Sequence, residues 1–95
     1  MVAKILIERK IKPDSLGDIL DLYMHLRSLA MRQQGYLSGE TLVSADCDDE
    51  HLVISTWHSL SDWQAWENNP ERLGIAQQIE SLLDEPSTVR AFTTL

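Results

Sequence analysis

The chain has 95 residues, with 15 acidic against 8 basic side chains and a net charge of −7. That balance excludes a phosphate-tracking nucleic-acid binder and a protein held on an anionic membrane surface, since both need a basic face. A single cysteine, Cys47, excludes an internal disulfide framework and any multi-cysteine metal centre.

A chain of this length makes one domain, residues 1–95, with one core. It is too short for a deep private cavity, so a sizeable pocket calls for a second copy. No apolar run reaches the ~18 residues that span a bilayer. The N-terminus lacks the pattern of a secretory leader. A cytoplasmic protein without a membrane partner is expected.

Residues 2–12 read as a strand. Ala3, Ile5, Ile7 and Ile11 share one parity, with Arg9 the exception. Lys4, Glu8, Lys10 and Lys12 share the other with Val2 and Leu6. Pro13 ends the strand, and Asp14 or Ser15 caps a helix expected to run to about Gln34. Leu16, Ile19, Leu20, Tyr23, Leu26 and Ala30 form its apolar face, and Gly35 is its expected left-handed stop.

Residues 36–45 and 51–58 read as two strands of a hairpin, joined by the polar turn Asp46-Cys47-Asp48-Asp49-Glu50. Ser61 and Gln64 have capping-box spacing, so a short helix is expected from about Asp62. Asn69 and Pro70 restart it as N-cap and first helical residue. Leu73, Ala76, Ile79 and Leu83 carry the second segment's expected apolar face. After Pro86, Ser87 to Leu95 is a β-rich tail.

The order is β-α-β-β-α-β, an α+β, ferredoxin-like arrangement of an antiparallel sheet with helices on one face. The second helix is broken near Pro70. The third strand has apolar residues on both parities, Leu52 and Ile54 against Val53 and Trp57. The helices cover one face only, so a homodimer packed sheet to sheet is expected.

Trp57, Trp63 and Trp66 are the densest aromatic feature. They plug one end of a small core, or one of them walls an aromatic pocket. Trp63 and Trp66 share one helix face. Among the histidines, His25 lies on a wet helix stripe and His51 follows the acidic turn, where solvation is expected. His58, beside Trp57, is the candidate general base. Glu8 and Lys4 would be polar pocket groups if their parity faces the pocket, and merely wet if it does not. The acidic turn lacks the glycine and terminal glutamate spacing of a calcium loop, and Cys47 has no basic neighbour to activate it. No metal site is expected.

Gly35-Tyr36-Leu37-Ser38-Gly39-Glu40-Thr41-Leu42, Ile54-Ser55-Thr56-Trp57-His58-Ser59 and Ser61-Asp62-Trp63-Gln64-Ala65-Trp66 together resemble the antibiotic biosynthesis monooxygenase family, of the dimeric α/β-barrel superfamily. The resemblance covers essentially the whole chain. It implies a homodimer and a pocket in each protomer between sheet and helices. It also implies cofactor-free oxidation of a phenolic, quinol or similar small aromatic substrate, with Trp57 and Trp66 positioning that substrate and His58 as base. Haem-degrading members carry an asparagine, a tryptophan and a histidine where this chain has Glu8, Trp66 and Ala76, so haem turnover is not expected. A non-catalytic dimeric module binding a small apolar ligand is the first competing reading, and a haem-binding or haem-degrading protein the second.

Overall fold

The computed structural model describes residues 1–95. β1 (Ala3–Lys10) alternates strictly between buried and more open positions. The odd parity is the buried one, and Ile11 extends it as a single bridge to Leu83. Pro13 removes a backbone donor and the chain turns through Asp14, whose φ of 63° is left-handed.

α1 (Leu16–Ala30) follows, with Ser15 at the N-cap position but making no side-chain cap bond. The helix ends at Ala30, four residues short of the expected Gln34. Gly35 therefore stops no helix. It turns the chain into β2 (Tyr36–Val43) with φ 84°. A Cβ there would collide with the Asp62 carboxylate, so glycine is required twice over.

β3 (Glu50–Trp57) pairs back on β2 across the acidic turn. α2 (Leu60–Glu67) begins two residues earlier than Asp62. Its cap is Ser59, not Ser61: the Ser59 hydroxyl accepts from the Asp62 amide at 3.1 Å and donates to the Asp62 carboxylate at 3.0 Å. The capping pair is therefore serine with aspartate three residues on, joined through the serine hydroxyl, rather than serine with glutamine. α3 (Pro70–Glu80) starts as expected, with Asn69 accepting from the Glu71 amide at 2.8 Å and Pro70 in its first turn. β4 (Thr88–Thr93) closes the sheet.

The four strands lie in the order β2-β3-β1-β4, all antiparallel. Cross-strand partners share a face. Ile5 sits opposite Ser55 and Ala91, and Ile7 opposite Val53 and Val89; this face meets the helices. Leu6, Leu42, Leu52, Ile54 and Phe92 lie on the other face, which no element of the chain covers.

Two apolar clusters fill the space between sheet and helices. One holds Ala3, Ile5, Ile7, Ala30 and the three tryptophans; the other holds Ile11, Ile19, Tyr23, Ile75, Ile79 and Leu83. Each isoleucine buried there stabilises the fold by roughly 1.5–3 kcal/mol. Leu16 and Leu20 stay about half exposed, outside both clusters.

The expected apolar face holds at Ile79 and, just past α3, at Leu83, both buried, but not at the start of α3: Arg72 and Ile75 turn inward there, while Leu73 is half exposed. Both registers have period-compatible apolar residues, and the packing of Ile75 against Ile19 and Tyr23 decides between them.

Candidate functional site

A cavity of about 70 Å³ lies between the inner sheet face and the helices, where the two clusters meet. Its aromatic wall is built by β3 and α2. Trp57, the last residue of β3, is 1% exposed and donates its indole N–H to Ser55 at 3.0 Å. Tyr36 meets it edge-on at 5.3 Å between centroids, and Trp63 packs tilted against it at 5.8 Å. Trp63 and Trp66 stand one helical turn apart on the buried side of α2, and both line the cavity.

The opposite wall is cationic. Arg9 projects from the inner face of β1 and stacks on the Tyr23 ring, 5.2 Å from its centroid. Arg72 reaches in from the first turns of α3, stacks on Trp63 at 5.1 Å, and donates to the Glu67 carbonyl at 3.2 Å. Arg27 spans the rim from α1 to the Gly39 carbonyl on β2. Three of the eight basic residues of a chain with net charge −7 thus converge on one small space.

Tyr23 from α1 and His51 from β3 form a buried pair, with the phenol oxygen 3.0 Å from Nδ1. Burial pushes the Tyr23 phenol above its usual range, an effect Arg9 opposes. Burial pushes the His51 imidazole below its usual range, with Arg9 adding to the effect. Both groups are therefore neutral near pH 7. Tyr23 faces the cavity, whereas His51 borders a separate open cleft of about 530 Å³ at the strand ends.

Trp57 and Trp66 lie in the cavity wall. His58 does not: its side chain is 79% exposed and sits 4.0 Å from Asp62 at the start of α2. Glu8 is exposed on the outer sheet face, opposite Leu52 and Thr88, and Lys4 shares that face. The histidine of the interior is His51, which shares the inner parity of β3 with Trp57. Arg9 was legible as the one charged residue in an apolar parity. Arg72 was not, because Leu73 offers an equally apolar register. No three His, Cys, Asp or Glu side chains are arranged so that they could hold a metal ion.

The chain is thus a two-layer α+β, ferredoxin-like domain with an aromatic cavity between sheet and helices. The sequence profile of the family described as antibiotic biosynthesis monooxygenase matches residues 3–78, and the chain belongs to that family. No curated protein matches the chain.

Solved structures show the same fold. A conserved protein from Methanosarcina mazei Go1 superposes with a TM-score of 0.92 at 10% identity, covering 97% of this chain and 91% of that one. SnoaB, a cofactor-independent oxygenase from Streptomyces nogalater, gives 0.88 at 16% identity, covering 99% and 93%. A Mycobacterium tuberculosis protein gives 0.89 at 19% identity, covering 100% and 96%.

Proposed function

We propose that this protein is a small monooxygenase that oxidises a phenolic or quinol ring in the sheet–helix cavity without a metal or flavin, working as a homodimer. The observation that carries the reading is the pairing of a three-tryptophan wall with the buried Tyr23–His51 couple. Family membership and the likeness in fold to a cofactor-independent oxygenase support it.

The tryptophans exclude water and hold the ring flat. Substrate hydroxyl is placed at Tyr23. Its proton passes to the phenol oxygen as the phenol proton moves to His51 Nδ1, so Tyr23 and His51 take the role first assigned to His58. Arg9, stacked on Tyr23, holds the negative charge that develops. A ring carbon beside the ionised oxygen then donates to O₂ and a C–O bond forms. The O–O bond breaks, one oxygen stays on the ring and the other leaves as water. The quinol supplies all four electrons and ends as a hydroxyquinone.

Oxygen uptake with a panel of one-ring quinols, in the presence of a chelator, tests this. Wild-type protein turns over, and Tyr23→Phe lowers kcat by about 100-fold with little change in KM. Binding of a ring without any oxygen uptake would instead establish the non-catalytic module.

The second copy is argued from the uncovered sheet face. Phe92 and Leu42 are each close to half exposed there, flanking the partly buried Leu6, Leu52 and Ile54. Apolar side chains gathered on one uncovered sheet face, here rimmed by Lys4, Glu8 and Arg90, mark an interaction surface.

A further inference from the structure

Arg9 and Arg72 are 6% and 8% exposed, yet neither has a carboxylate partner, because the chain's one ion-pair contact joins His58 to Asp62. Arg9 Nε is buried with no hydrogen-bond partner at all. Glu40, the one carboxylate in the cavity lining, is exposed on β2 and outside ion-pair distance of the arginines. Two buried like charges without a close ion-pair partner are costly in any fold, and here only Glu67 acts on Arg72, from beyond ion-pair distance. Stacking on Tyr23 and Trp63 offsets part of that cost but uses only the guanidinium faces; on the donor edges Arg9 Nε stays unpartnered, and Arg72 makes one bond, to the Glu67 carbonyl. Each edge is a planar fork whose spacing fits two oxygens held in one plane.

We propose that the cavity takes a small aromatic acid, with its ring against the tryptophan wall and its carboxylate received by Arg9 and Arg72. This rests on the cavity being the substrate site, and it narrows the substrate from any quinol to one that carries a carboxylate. The space of about 70 Å³ favours a single ring, seated partly in the mouth that Arg27 spans.

Calorimetric titration of the full-length protein at pH 7 and fixed ionic strength tests the proposal with two matched pairs. One pair is 2,5-dihydroxybenzoate and its amide; the other is benzoate and benzamide. In both pairs the acid should bind at least about tenfold tighter than the amide. Arg9→Gln and Arg72→Gln should each erase most of that preference, and Arg9→Lys should restore only part of it.

Equal affinity of acid and amide in the wild type overturns the proposal, and that comparison needs no variant to fold. A preference confined to the dihydroxy pair also overturns it, because a carboxylate received by the two arginines is received on benzoate as well. So does a preference that survives both glutamine variants. Oxygen uptake is read separately. Acid binding without uptake keeps this proposal and removes the oxygenase reading. Uptake with an amide bound as tightly as its acid does the reverse.

Discussion

Trp63 lies between two stacking partners, Trp57 on one side and the Arg72 guanidinium on the other. Trp66 is as deeply buried but has neither stacking contact among the aromatic and cation–π pairs. Truncating a buried tryptophan to alanine costs about 3–5 kcal/mol. Chemical denaturation should place Trp63→Ala at the upper end of that range and Trp66→Ala at the lower. Trp66→Ala should lose more in ligand affinity than Trp66→Phe.

His51 gives a pH signature. Its folded pKa lies below the ordinary 6.5, chiefly through burial, with Arg9 adding to the shift and Asp48 and Asp49 opposing it. The unfolded chain therefore binds the extra proton first as pH falls below 6.5. This contribution to stability is present above that pH and is lost as pH drops through the folded pKa. Melting temperature should decline from pH 7 to 5 in the wild type and decline less in His51→Gln. Equal slopes would show that another group dominates. At this scale sequence was a partial guide. The tryptophan cluster and the anomalous Arg9 are visible in the letters. His51 is hidden by the acidic turn before it, and only its parity with Trp57 marks it as interior.

Among the elements, α3 positions Arg72, and its start is fixed by Asn69 and Pro70. Asn69→Ala should cost about 1 kcal/mol of stability, the usual loss for a side-chain cap. Aromatic-acid binding should weaken with it, since fraying of that turn releases Arg72. Gly35→Ala should cost more than the cap. It adds a left-handed strain of about 1–2 kcal/mol and pushes Asp62 away from Ser59. Thermal melts of the two variants check the order.

The order of elements along the chain, the hairpin and the Pro70 break were legible because alternation, turn composition and cap chemistry agree at each of them. The end of α1 and the inward face at the start of α3 were not. The former lacks a local stop signal. The latter depends on which of two apolar registers meets Ile19 and Tyr23 across the core.

At the level of the whole molecule, one sheet face is closed by helices and the other carries Leu6, Ile54 and Phe92 without cover. Sedimentation equilibrium should give twice the chain mass of 10.8 kDa at micromolar concentration. Leu6→Asp, at the centre of that face, should shift the population toward monomer and lower the melting temperature. A native wild-type monomer would mean that the face is stable in water.

The net charge of −7 raises the local question of why the cavity is cationic. The proposed anionic ring, bound and oxidised there, would answer it. Oxygen-isotope labelling tests that account most directly. Chelator-treated protein would turn over 2,5-dihydroxybenzoate under ¹⁸O₂, and the product would be weighed by mass spectrometry. The account predicts one ¹⁸O atom in the hydroxyquinone acid and uptake of one O₂ per ring. Product without the label, or label incorporated equally well by Tyr23→Phe, would contradict it.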